Sequence, residues 1–162
     1  MAFGIDASAE LQAWWDGEFA AELDRKFPGQ AVSVVVLTPF ADHDWRDPLA
    51  TAFVTLSHGG ERPDLVENVE HKMRFALRTG LESFAAHANA HLIEPGDFPH
   101  GGATHSYGWV AGASGLVEES DIWVARAVLD RLAGIRAAAA TAAIAASSSA
   151  SSRFLPDEAP QR

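Results

Sequence analysis

Apolar residues recur at every fourth position near the start of the chain: Leu11, Trp15, Phe19, Leu23 and Phe27, with Glu10, Asp16, Glu18 and Asp24 on the other faces. That spacing predicts an amphipathic helix over residues 8–27, and Pro28-Gly29 stops it. The pattern then changes. AVSVVVLT (31–38) and ATAFVTLS (50–57) are short and β-branched, and both read as strands. Between them PFADHDWRDP is a polar connection bracketed by prolines, longer than a tight hairpin. Leu65, Val69, Met73 and Leu77 return to four-residue steps and predict a helix over 64–79, with Asp64 and Glu67 at capping-box spacing behind Pro63. LESFAAHANAH also favours helix, so this element can continue past Gly80 to about residue 91. EPGDFPHGGATHS (94–106) breaks it and holds the turn of a hairpin. YGWVAGA (107–113) is a strand whose small residues 111–113 let another backbone come close. The last helix, 118–136, sets Ile122, Ala125, Leu129 and Leu132 on one stripe, flanked by Val128 and Ile135. The alanines of AAAATAAIAASSSASS can prolong it, while the serines and RFLPDEAPQR read as a mobile tail. The order is helix, two strands, helix, two short strands, helix. Residues 1–136 form one domain and 137–162 the tail, with no internal repeat.

Composition narrows the partners. The chain has 162 residues, with 22 acids against 12 bases and a net charge of −10. That field disfavours nucleic acid and anionic membrane surfaces. There is no cysteine, which excludes disulfides, thiolate chemistry and sulfur-ligated metals. MAFGIDASAELQAWWDGE lacks the basic region and unbroken apolar core of a signal peptide, and no run reaches the roughly 18 apolar residues of a membrane span. The expectation is a soluble, cytoplasmic protein.

The stretch GWVAGASGLVEESDIWV (108–124) takes a small-residue strand through Ser114-Gly115-Leu116 into a helix. A phosphate cradle would present free amides at such a point. Here Glu118, Glu119 and Asp121 occupy the first turn, complement its dipole and repel an anion. The glycine is therefore read as a hinge. Ser114 mimics half of a nucleophile elbow, but its glycine follows at once and no histidine comes after it, so serine catalysis is set aside.

Seven histidines are the remaining chemical candidates. His87 and His91, four apart in HANAH, would share a helix face and could reach one metal, or stand as two solvated side chains. His100 and His105 flank GGAT in the hairpin turn, where either could be a metal or haem ligand or a surface residue. Phe98, Tyr107 and Trp109 could line an apolar pocket beside them. Asp42, His43 and Asp44 could hold a hard cation or form a solvated turn. Lys72 lies beside Met73 at the edge of the buried face, where it could hold an anion or pair with Glu67 or Asp64. Trp14 and Trp15 are adjacent, so one helix face cannot bury both. Trp15 continues the buried stripe. Trp14 is left for a partner surface, which points to oligomerisation through the first helix.

EHKMRFALRTGLES (70–83), GDFP (96–99) and SGLVEESD (114–121) follow one another in an order that resembles the GlcG/HbpS-type haem-associated ("haem-degrading domain") family, and within it the branch that contains a yeast cytosolic protein. EHKMRFALRTGLES resembles that branch's central helix at Lys72, Arg78, Gly80 and Ser83; GDFP (96–99) resembles its Gly-x-Phe-Pro element; and SGLVEESD resembles the end of its domain. The resemblance covers residues 8 to 134. Two positions depart from it. Glu94 stands where the branch has the histidine of a His-Gly-Gly, and Asp121-Ile122 stands where it has an aspartate-histidine pair. The resemblance implies an α/β (α+β) domain in three layers, an antiparallel sheet of four or five strands between helices. It implies an oligomer of dimers closing into a ring, and small-molecule binding with haem as the cofactor. Lys72, Ser83, Phe98, Tyr107 and Ser114 would be ligand contacts, and the metal candidates remain His87, His91, His100 and His105. The competing functional readings are a scaffold that recruits a protein partner and an enzyme that degrades haem.

Overall fold

The computed structural model describes residues 6–151, with side chains to residue 148. Its sheet has four strands, β1 Val32–Leu37, β2 Ala52–His58, β3 Ala103–Ser106 and β4 Trp109–Ser114. They lie in the order β2-β1-β4-β3, and every neighbouring pair is antiparallel. β1 is central, and all six of its residues are buried because both faces of the sheet are covered. Val32, Val34 and Val36 point to one helical layer, Val35 and Leu37 to the other. The first layer holds α1 Ala7–Trp14, α2 Ala20–Lys26 and the long α4 Glu118–Ser151; the second is α3 Pro63–Thr79. This is the expected three-layer α/β arrangement. Leu11, Trp15, Phe19 and Leu23 pack with Val124, Val128 and Leu132 of α4 on one side of the sheet. Val69, Met73 and Ala76 of α3 fill the other.

Between α1 and α2 runs a π-helical turn, Trp15–Phe19, so residues 7–26 form one continuous helical rod. The turn has a reason in the sequence. At roughly 100° per residue a strict four-residue repeat drifts by about 40° per step around an α-helix. The wider π-turn removes much of that drift. Leu11, Trp15, Phe19 and Leu23 all stay buried, and the Trp15 indole donates to the Ser57 carbonyl at 3.0 Å. Trp14 falls at the edge, half-buried and stacked on Phe19 with ring centres 4.5 Å apart.

The structure corrects several expected boundaries. α3 stops at Gly80, which takes a left-handed φ of 71° as its C-cap. Two short 3-10 turns, Ser83–His87 and Ala90–Leu92, replace the expected continuation. The capping box does not form: Arg62 is the N-cap without a side-chain cap bond, and its guanidinium donates to Asp64 instead. The hairpin turn is Tyr107-Gly108 rather than a point within 94–106, since Ser106 pairs with Trp109. Both turn residues have positive φ, 55° and 79°, as a two-residue hairpin of type I′ requires. α4 runs on as helix through the alanine run to Ser151, in keeping with the helix preference of alanine. RFLPDEAPQR, expected as tail, lies outside the described residues.

Candidate functional site: a cavity between α3 and α4

The turn from β4 into α4 builds the site. Gly115 sits there with φ 130°, and a Cβ on it would come within 2.1 Å of the Ala31 carbonyl oxygen. Only glycine can make this turn against β1, which accounts for a glycine between β4 and α4. The turn aims the first residues of α4 toward α3. Asp121 and Lys72, 49 residues apart, meet there with Nζ 2.8 Å from Oδ2. Both side chains are almost wholly buried, at 4% and 1% exposure. Lys72 also donates to the Ala113 carbonyl at 2.9 Å, and Asp121 accepts from the Leu116 amide at 3.0 Å. Burial pulls the Lys72 ammonium below its usual range against the attraction of Asp121. Burial likewise pushes the Asp121 carboxyl up, against the attraction of Lys72. Gly102, at φ 126°, closes over the pair, and a Cβ there would lie 3.0 Å from Lys72 Nζ.

This ion pair is the floor of a cavity of about 460 Å³. Its apolar walls are Leu65, Phe98 and Leu116; Asn68 and Ser114 offer polar groups; His100 and Glu118 form the rim. The Phe98 ring stands 5.6 Å from Lys72 Nζ on one side and 4.5 Å from the His100 ring on another. Phe98 is held in place by its loop. Arg78 of α3 donates to the Asp97 carboxylate and the Leu92 carbonyl, and its guanidinium lies 3.3 Å from Glu94.

At the rim, Glu118 Oε1 accepts from the Gly101 amide and is 2.7 Å from His87 Nε2. The His87 and His100 rings meet edge to face at 6.2 Å. Burial alone would raise the Glu118 pKa, but the Gly101 amide and His87 hold it below the usual carboxylate value. Among the described residues, His87, His100 and Glu118 are the one trio whose metal-ligating atoms all lie within 4.8 Å of one another.

Lys72, Phe98, His100 and Ser114 therefore converge on one cavity, with His87 at its edge. The other candidates lie elsewhere. His91 is exposed in its own 3-10 turn, so it shares no helix face with His87. His105 is on β3, not in a turn, and hydrogen-bonds the Gly80 carbonyl at 2.9 Å. Ser83 is buried and accepts from the Ala103 amide, tying the 3-10 turn to β3. Tyr107 stands 63% exposed at the hairpin tip. Trp109 packs against Phe53 with the opposite helical layer, so neither ring faces Phe98. His43 bonds Thr51, and Asp44 accepts from the Arg46 amide. Lys72 pairs with neither Glu67 nor Asp64 but with Asp121, a residue the sequence offered as a dipole complement and as the aspartate of Asp121-Ile122, not as a partner for Lys72. Glu118 was likewise missed as a site residue; its position behind the glycine hinge was the available signal.

No protein-family model matches the chain, and no curated protein sequence matches it significantly. Solved structures do. The crystal structure of the Ybr137w protein superposes with a TM-score of 0.56 and 17% identity, covering 82% of this chain and 77% of that one. A double mutant of Streptomyces reticuli HbpS superposes with a TM-score of 0.48 and 21% identity, covering 79% of this chain and 84% of that one. At such identities the likeness concerns the fold alone, and this chain has the fold of the Ybr137w protein.

Proposed function

We propose that this protein is a small-molecule-binding protein whose site is the cavity between α3 and α4, and that it acts as a homo-oligomer in the cytoplasm. The observation that carries the reading is the convergence of Lys72, Phe98, His100 and Ser114, from three separate parts of the chain, on one cavity with a buried ion pair as its floor. Desolvating two charges is costly. An open cavity above them gives a ligand's polar groups a place to meet fixed charges, and the apolar walls supply contact area. The charges of the lining favour a particular ligand. Lys72 is neutralised by Asp121, and Glu118 adds a further negative group at the rim. An anion anchored on Lys72 is therefore disfavoured. The matching ligand is a neutral or cationic molecule, with a flat apolar face for Phe98 and Leu116 and hydrogen-bond donors for Glu118 and Ser114.

The test uses a fragment set of monocyclic aromatic amides and amines, read by saturation-transfer NMR on the full chain. Binding by fragments of this class, abolished in Asn68→Trp, which fills the cavity from its half-exposed edge, supports the reading. Binding unaffected by Asn68→Trp, or no binding at all, overturns it.

Haem is the second reading, favoured by His100 at the rim with Phe98 against its ring. The described residues of one chain do not build a closed haem pocket, because Tyr107 and Trp109 point elsewhere and Lys72 already has its counter-ion. A haemin titration followed in the Soret region decides it. A saturable shifted band lost in His100→Ala makes haem the ligand, and its consumption with a reductant present makes the protein a haem-degrading enzyme. A spectrum equal to the sum of its parts removes both. Self-association is supported by a groove of about 440 Å³ lined by Trp14, Phe19 and Trp123, which also suits the scaffold reading with a protein partner. Among the described residues no helix is long and apolar enough to cross a membrane.

A further inference from the structure

We propose that His87, His100 and Glu118 form a binding site for one first-row divalent transition metal ion at the mouth of the cavity. The site stands on its own geometry, whatever molecule the cavity takes. The three donors come from three segments: the end of the 3-10 turn Ser83–His87, the loop ahead of β3, and the first turn of α4. Their ligating atoms already lie within 4.8 Å of one another. Around an ion at about 2.0–2.1 Å from each ligand, neighbouring donors sit roughly 3.4 Å apart, so the wider separations close by about an ångström while the 2.7 Å contact between His87 and Glu118 opens by less than that. His87 and His100 are exposed enough to make that movement by rotation of their side chains.

Donor type selects the ion. Two imidazoles and one carboxylate suit zinc, iron(II), cobalt or nickel, and not magnesium or calcium, which take all-oxygen sets. Supporting contacts surround the ligands. The Glu118 carboxylate is oriented by the Gly101 amide, and a Cβ on Gly101 would lie 2.9 Å from Glu118 Cγ, so the loop packs directly on it. The Phe84 ring meets His87 edge-on at 5.6 Å, and Phe98 packs on His100 at 4.5 Å. Such outer contacts fix the orientation of metal ligands. In the absence of metal, the contact between His87 and Glu118, 2.7 Å long, holds two donors together; the ion takes its place. Three protein ligands leave at least one coordination position open. Because His100 and Glu118 also line the cavity, that position opens toward its mouth.

The test is titration of the full chain with Co²⁺, followed by its visible d–d absorption, with Zn²⁺ competition and calorimetry as a check. The expected result is one Co²⁺ per chain, displaced by Zn²⁺, with affinity lowered at least about tenfold in both His87→Ala and His100→Ala. Glu118→Gln, which keeps an acceptor for the Gly101 amide, is expected to do the same. His91→Ala leaves the affinity unchanged. Thermal melts without metal show whether each variant folds like the parent, and His87→Ala is expected to, since its side chain is 48% exposed. Affinity unchanged in His87→Ala or His100→Ala overturns the site, as does an equal loss in His91→Ala or the absence of any stoichiometric complex.

Discussion

Replacing Lys72 by methionine perturbs the cavity floor while keeping most of the side-chain volume. The Lys72–Asp121 pair, 2.8 Å apart and almost fully buried, carries a gross attraction of about 6 kcal/mol at an effective dielectric near 20. Desolvation of the two charges cancels most of it, so the intact pair contributes little net stability. Removing one member is different. In Lys72→Met the Asp121 carboxylate stays buried with the Leu116 amide as its remaining partner, and the Ala113 carbonyl loses its donor. The expected loss at neutral pH is about 3–5 kcal/mol by urea unfolding, with an unchanged m-value. The double variant Lys72→Met/Asp121→Asn keeps an acceptor for Leu116 and buries no charge, so it recovers most of that loss. The pH dependence has a definite sign. Burial raises the Asp121 pKa above its ordinary 3.8 even beside Lys72, and more so without it. A carboxyl whose pKa is higher in the folded state takes up its proton preferentially there. The deficit of Lys72→Met therefore shrinks as pH falls from 7 toward the ordinary carboxylate range. A loss under about 1 kcal/mol, or a double variant as unstable as the sum of the singles, would refute the reasoning.

Gly115→Ala should lose at least about 3 kcal/mol, because the left-handed backbone and the collision with Ala31 act together; a melting temperature equal to the parent's contradicts this. Ending the chain after residue 136 should cost under about 1 kcal/mol in urea unfolding, since Ile135 is the last core residue of α4 and residues beyond it are mostly exposed. A larger loss would mean that the distal part of α4 packs against something. Trp14→Ala should lower the mass measured by light scattering from oligomer to monomer, because Trp14 forms one wall of the aromatic groove; an unchanged mass separates self-association from this helix.

The layers were legible because each rests on a local pattern. The β-branched run at 32–37 gave the central strand, and the four-residue steps of α3 gave the helix beneath it. The four-residue repeat at Leu11 to Leu23 also encoded the π-turn, since an α-helix cannot hold that period on one face. Two short strands were expected here, but the bounds of β3 escaped because it is four residues long and follows a glycine-rich loop, and its turn lacks the usual Asn-Gly or Asp-Gly. The helix past Gly80 failed because a left-handed glycine ends α3 whatever the propensity of the residues after it. In the site, individual residues were visible but their pairings were not. Lys72 and Asp121 lie 49 residues apart, and no period links them. The His87–Glu118 contact, across 31 residues, depends on where the hinge at Gly115 aims α4. Trp109 and Tyr107 looked like pocket walls beside Phe98 because the hairpin turn was placed ahead of them; moving the turn to 107–108 sends both away from the cavity.

The most direct test of the cavity as the binding site is amide-resolved NMR of the full chain with the tightest fragment from the aromatic amine and amide set. The account predicts saturable shifts centred on Asn68, Lys72, Ser114 and Leu116, with Trp14, Glu22 and Trp123 unmoved. Shifts confined to the aromatic groove at Trp14, or none that saturate, would contradict it.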